Sequence, residues 1–523
     1  MLGPAKTRRV DQPVLASLDA LVPAHHFYRH LEAKLDLAFV RDLVRSAYKE
    51  GGRPSIDPII FFKLQLLMFF EGIRSERRLL EAASLNLAHR WYLGYALDEP
   101  LPDHSSLSRI RTRLGVEVFQ RFFEQIVELC RAAGLVWGEE LFFDATRVRA
   151  NADLDSLVPR FYWNAQQYLA DLFDEASTRS PDEVGVTTAT PPLTHETMSE
   201  PGRLPTGISP EDEAQLVAER AETWQLLDER RLDPDRPAAQ GYRRLTDLRV
   251  SPTDPDAALM SDGRKPALGY HDHYVVDGGK ARIILGVLVT PADVMENVPL
   301  QDLLWRARFR WHLHPKRAVG DATYGTVDNI REIEAAGIRA YVPLSDVGKR
   351  AGFFGPEAFT YDAEQDVYTC PSGTVLRFRG NHYAARARAY QAPASACNAC
   401  PIKERCTDGR TGRIFTRSFD EAYLDRVRGY HETAAYQQAM RKRSVWIEPL
   451  FGEAKEWHGL RQFRLRGLPK VNSVGLLVAA GQNLKRLLRK RGWGRRPWPN
   501  GAPEALPTRR RPAFSLGLCP PII

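Results

Sequence analysis

The chain has 523 residues, 43% hydrophobic and 26% charged, and a formal net charge of +8 at pH 7. This is the composition of a globular protein with room for several domains, and it excludes wholesale disorder. No apolar h-region opens the chain, and the longest apolar stretch, IIFFKLQLLMFF, carries Lys63 and Gln65 and is too short to span a bilayer, so a cytoplasmic protein is expected.

Residues 1–135 read as helical. The segment LEAKLDLAFVRDLVRSAYKE has helical apolar spacing and ends at Gly51–Gly52. In SIDPIIFFKLQLLMFFEG, Asp57 is placed to cap, Pro58 to occupy the first helical position and Gly72 to stop the helix. SERRLLEAASLNLAHRWYLG follows with Ser75 as its cap. The basic helix LPDHSSLSRIRTRLG carries Arg109, Arg111 and Arg113, and VEVFQRFFEQIVELCRAAG ends at Gly134. Short helices, glycine turns and arginines fit a helix-turn-helix-like DNA reader or an assembly domain; a bundle with solvated arginines is the plainer alternative.

From Val136 the pattern changes. GEELFFDATRV predicts a strand ending at Asp144, residues 158–176 an amphipathic helix, 177–213 a disordered linker or surface loop, and EDEAQLVAERAETWQLLDERR a polar helix. LGYHDHYVVD and ARIILGVLVT, separated by Asp277–Gly278–Gly279, predict a hairpin. Then come a helix (VPLQDLLWRARFRW), a strand ending at Asp321 (KRAVGD), a helix stopped by Gly337 (DNIREIEAAG) and a strand (IRAYVPL). The order predicts an α/β core, a mixed sheet covered by helices. Residues 350–415 interrupt it with small strand-like pieces, and about 420–490 returns to helix. From Lys485 to Arg511 the chain is strongly basic, as a polyanion-binding or solvated tail would be.

Asp144 and Asp321 each follow an apolar run and precede Ala-Thr. An aspartate at a strand end is poor core material and good metal-ligand material. It is also a common helix cap. Two such aspartates with a later glutamate can gather magnesium, which takes oxygen ligands and keeps several waters. A pair of these ions supports in-line displacement at phosphorus. Glu448 is the glutamate of interest, with Glu453 and Glu456 as neighbouring competitors and Pro449 set to start a helix.

These motifs resemble those of bacterial insertion-sequence transposases of the DDE superfamily. FFDATRVRANAD resembles the first-aspartate strand, and VGDATYGTVDN the second-aspartate motif with Tyr324 and Gly325. Glu448–Lys455 in IEPLFGEAKEWHGLRQFRLRGL forms the Glu-x6-Lys pair, and SIDPIIFFKLQLLMFFEG with PDHSSLSRIRTRLG resembles the preceding helical domain. The resemblance covers most of residues 20–490. One departure stands out: the family's Tyr-x2-Arg-x3-Glu positions hold Arg441 and Ser444, with Arg443 one residue away.

The resemblance implies an RNase H-like catalytic core in which Asp144, Asp321 and Glu448 are catalytic and bind two Mg2+ ions, with Mn2+ as a substitute. It implies that Lys455 contacts a phosphate at the transposon end. Arg443, Arg461, Arg464 and Arg466 would add phosphate contacts, and Arg109 and Arg111 would serve DNA binding from the helical domain. The implied reaction cleaves phosphodiesters at transposon ends and joins the freed 3′-hydroxyls to target DNA. The implied partners are double-stranded DNA, as terminal inverted repeats and target, and a second copy of the chain, in a cytoplasmic, nucleoid-associated setting. A non-catalytic DNA-binding derivative and a metal-dependent nuclease of the same fold are the alternatives.

Cys370, Cys397, Cys400 and Cys406 include a CxxC unit and have the character of a structural Zn2+ site; reduced thiols without metal, or redox chemistry, are the other readings. Cys130 and Cys519 read as unremarkable. His271 and His273 share one face of a strand, as metal ligands could, but buried or solvent-facing histidines are the commoner case. The resulting division is a helical domain at 1–135 and a core at 136–349 with an insertion at about 150–241. The Cys-rich insertion spans 350–415, the helical end of the core 416–490, and a basic tail 491–523.

Overall fold

The computed structural model describes residues 15–48, 51, 55–178, 249–263, 265–344, 352–355, 358–383 and 386–494. Most of the polar segment 177–213, the helix expected at 211–231, Cys519 and nearly all of the 491–523 tail lie outside the described residues.

Among the described residues, seven α-helices come first: α1 (Leu18–Leu21), α2 (Phe27–Lys34), α3 (Phe39–Val44), α4 (Pro58–Phe70), α5 (Glu76–Leu85), α6 (Leu87–Leu93) and α7 (His104–Ala132). Asp57 caps α4 by accepting from the Ile59 N–H at 2.9 Å. Phe61, Phe62, Leu64, Leu66 and Leu67 are all buried, so α4 is enclosed on most sides rather than amphipathic. Two predicted helices are each split. Asp36 accepts from the Ala38 N–H at 2.8 Å, a local turn that divides α2 from α3. Asn86 ends α5 and caps α6, accepting from the Ala88 N–H at 2.8 Å. α7 joins two predicted helices across Gly115, whose φ of 68° breaks the helical path.

The next elements are β1 (Glu140–Arg149), β2 (Val158–Pro159), α8 (Arg160–Thr178), β3 (Arg249–Val250), β4 (Ala258–Asp262), β5 (Lys265–Asp277), β6 (Ile284–Pro291), α9 (Leu300–Trp311), β7 (Arg317–Val319), α10 (Val327–Ala335) and β8 (Arg339–Tyr341). In the main sheet β5 lies antiparallel to β1 and β6, while β7 and β8 run parallel to β1. The order is β4–β5–β1–β7–β8, with β6 also on β5. The hairpin at Asp277–Gly279 forms as expected. β1 does not end at Asp144 but continues to Arg149, because β5 pairs with it along that whole length.

A second sheet, five-stranded and antiparallel, comprises β9 (Thr360–Asp362), β10 (Val367–Thr369), β11 (Val375–His382), β12 (Ala387–Gln391) and β13 (Ile414–Ser418), with α11 (Ala394–Asn398) between the last two. It has its own apolar cluster, including Tyr368, Leu376, Tyr390, Cys397 and Cys406. The chain closes with α12 (Glu421–His431), α13 (Ala434–Trp446), α14 (Glu448–Trp457) and α15 (Leu468–Lys490). α15 packs on α7, α4 and β6, so the N-terminal helices and the main sheet share one apolar core. Among the described residues no helix is long and apolar enough to cross a membrane.

Candidate active site

β7 pairs with β1 only as far as Val319 opposite Phe142. Beyond that point the sheet opens, and Asp144 and Asp321 occupy the opening. Asp144 sits mid-strand opposite Tyr274 and is buried. Asp321 follows β7 and accepts from the Thr323 N–H at 2.8 Å, capping a single 3-10 turn at Ala322–Tyr324. The cap role and the site position coincide in this residue. The turn is held tightly: a Cβ at Gly325 would stand 2.3 Å from the Pro343 carbonyl oxygen, so only glycine fits there.

Arg443 of α13 donates to Asp144 Oδ2 at 2.9 Å, and the Ala145 N–H donates to Oδ1 at 2.9 Å. Burial pushes the Asp144 carboxyl up to about 6; Arg443 and the Ala145 N–H oppose this, while Asp321 and Glu296 add to it. Tyr324, buried beside them, is raised by burial and then by Asp144, Glu296 and Asp321. The structure thus joins Asp144 to Arg443, with Asp321, Tyr324 and Glu296 within electrostatic reach. Glu296, in the β6–α9 loop, carries no pattern in sequence that distinguishes it from a surface acid.

Glu448 is exposed at the first residue of α14 and is not among the charges that weigh most on Asp144. Its helix is nevertheless anchored at the site, because Phe451 stacks on Tyr274, the cross-strand partner of Asp144, with ring centroids 4.6 Å apart. Glu448 lies about one helical turn before Phe451. Its competitor Glu453 is committed elsewhere. Burial alone would raise its carboxyl, but His458, Lys485 and Arg486 hold it down to about 2, and Gln482 donates to it at 3.2 Å. Lys455 lies in the last turn of α14, half-buried.

The expected DNA-contacting arginines divide into two groups. Arg109, Arg461 and Arg466 are exposed, with Arg461 paired to Glu456 and Arg466 donating to the Asn151 carbonyl at 2.9 Å. Arg111, by contrast, is buried and paired with Glu76, which also takes Arg464 at 3.3 Å. In these two positions the guanidinium neutralises an interior carboxylate and joins α5 and α7 to the segment before α15. The histidines are structural as well. His271 Nδ1 meets the Val294 carbonyl at 3.0 Å, and His273 Nε2 meets Thr290 at 2.9 Å.

Cys370, Cys397, Cys400 and Cys406 line one small cavity in the second sheet. Ser372 Oγ lies 3.1 Å from Cys400 Sγ, and the Arg413 N–H donates to Cys397 Sγ at 3.4 Å. Burial raises the Cys406 thiol, with the other three cysteines adding to the effect. Among the described residues, no three His, Cys, Asp or Glu side chains are arranged as they stand to hold a metal ion. The chemistry still fits: four sulfurs around one cavity suit zinc, and two buried-edge carboxylates suit magnesium, which needs one or two with substrate phosphates.

Two family models match the chain: residues 16–113 match the transposase domain DUF772, and residues 369–488 match a transposase DDE domain. Together they support an insertion-sequence transposase of the DDE type, a class that acts on DNA and generally uses divalent metals. Glu448, Lys455 and Arg443 fall inside the second match, whereas Asp144 and Asp321 lie between the two. No curated protein and no solved structure matches the chain.

Proposed function

We propose that the chain is a DNA transposase that hydrolyses a phosphodiester at each transposon end and transfers the freed 3′-hydroxyl to target DNA. The observation that carries this reading is the convergence of Asp144 and Asp321, from two parallel strands, on the opening where β7 leaves β1. The mixed sheet, with a hairpin on one side of β1 and two parallel strands on the other, supports an RNase H-like core. Asp144, Asp321 and Glu448 are the residues that would hold Mg2+ or Mn2+. When bound, such ions activate the attacking hydroxyl and stabilise the leaving oxygen of an in-line displacement.

The rest is done by the chain itself. Arg443 neutralises Asp144 in the free protein, and its guanidinium is placed to take a phosphate of the DNA end once that carboxylate is otherwise engaged. Tyr324 and the tight Gly325 turn fix the Asp321 backbone. Lys455 and the exposed Arg461, Arg466 and Arg109 supply phosphate contacts, which give affinity rather than sequence choice. Action on two ends calls for at least two copies of the chain. The four cysteines would hold a structural Zn2+, which would staple the second sheet. The experiment is strand transfer of a labelled element end with Mg2+, comparing wild type with Asp144→Asn. Cleavage without strand transfer would favour the nuclease reading, and full activity of Asp144→Asn would refute the site.

A further inference from the structure

We propose that the basic cavity at the heads of β7 and β8 seats the phosphate backbone of a second DNA duplex, apart from the one that lies on the Asp144–Asp321 opening. This rests on the reading of the chain as a DNA transposase, which must hold target DNA as well as a transposon end.

The cavity has a volume of about 440 Å³ and is lined by Arg308, His314, Lys316, Arg317 and Arg339, with no acid among the described residues around it. Three elements supply the cations. Arg308 comes from the last turn of α9, Lys316 and Arg317 from the entry to β7, and Arg339 from the start of β8. Arg317 and Arg339 are register partners on parallel strands, so their side chains leave one face of the sheet side by side. Like charges so placed cost stability. Two carboxylates stand behind them. Lys316 Nζ lies 3.1 Å from Glu139, and Arg317 Nη1 lies 3.4 Å from Glu140. Glu140 also takes Lys442, so it offsets Arg317 only in part. Arg339 is exposed and pairs with no acid among the described residues.

Helix ends explain only part of this charge. α9 ends at Trp311 and α10 at Ala335, and the last carbonyls of a helix favour a cation such as Arg308. Arg317 and Arg339 begin strands, where the backbone offers no comparable field. What remains is an excess of positive charge on a concave surface. Guanidinium forks beside an ammonium suit a run of phosphate oxygens. Position decides which DNA. Arg317 opens β7 and Asp321 follows its close, so the cavity and the opening face opposite ends of the sheet. A short duplex seated on one therefore leaves the other unfilled.

The test is titration of the full chain with a fluorescent duplex of about 15 base pairs and arbitrary sequence, at low salt and without divalent metal, read by anisotropy. The wild type is expected to take two duplexes per chain. The double variant Lys316→Ala/Arg339→Ala changes two exposed side chains, so it is expected to melt with the wild type and to take one duplex. Arg339→Lys, which keeps the charge, is expected to keep both. At most one duplex on the wild type, or two on the double variant, overturns the seat. Loss of both from the double variant also overturns it, since the two surfaces would then be one. If the double variant melts early, Arg339→Ala alone decides: a weakened second duplex supports the seat, and wild-type affinity overturns it. The catalytic reading fails separately, if Asp144→Asn retains strand transfer, whatever the number of duplexes bound.

Discussion

Arg443 Nη1 and Asp144 Oδ2 are 2.9 Å apart, joining α13 to a strand 299 residues earlier in the chain. Both side chains are largely buried, so each is the other's main compensation in the free protein. Asp144→Asn leaves the Arg443 guanidinium facing a neutral amide in place of its carboxylate. The variant is therefore expected to melt below the wild-type temperature without metal, while end cleavage falls by about 100-fold or more. Calorimetry alongside a cleavage assay checks both halves.

Glu76 gathers Arg111 and Arg464 in the interior, with Ser108 Oγ donating at 3.3 Å. Glu76→Ala leaves the buried Arg111 and the half-buried Arg464 without their carboxylate, and the expected cost is about 3–5 kcal/mol. Denaturant titration measures it. A loss under about 1 kcal/mol would mean that the arginines find water or another acid.

Glu453 sets an acid limit. Its carboxyl is held from 4.5 down to about 2 in the folded protein, so the unfolded chain binds the proton more readily. The resulting stabilisation, on the order of 3 kcal/mol, is present above about pH 4.5 and is lost as the pH falls through about 2. Glu453→Gln should lack this component. Its stability difference from wild type is expected to be large at pH 7 and to shrink below pH 4, measured by unfolding at each pH.

The cysteine cavity predicts about one zinc per chain by elemental analysis of purified protein. Cys397→Ser, which replaces one of four sulfurs, is expected to lower the zinc content and to expose the second sheet to protease. The main sheet has a separate core and should keep its protection.

Much of this was legible in sequence where local chemistry dominates. Asp57 and Ser75 cap the helices they precede, Gly72 and Gly337 stop theirs with positive φ, and the Asp277–Gly279 turn makes the predicted hairpin. Long-range pairing was not legible. The end of β1 depends on how far β5 runs beside it, which no residue near Asp144 announces. Arg111 and Arg464 look like solvent-facing cations until Glu76, from another helix, is seen beneath them.

The packing of α15 has a consequence for synthesis. A Cβ at Gly481 would stand 2.5 Å from the Phe69 ring, so this late helix seats directly on α4, near the beginning of the described chain. It also covers β6 and lies along α7. A ribosome that has delivered only the first 460 residues has made every carboxylate of the site, yet the nascent chain still lacks the helix that closes its core. Prematurely terminated products would therefore be unstable rather than partly active, and the proposed activity on DNA would appear only after α15 has left the exit tunnel.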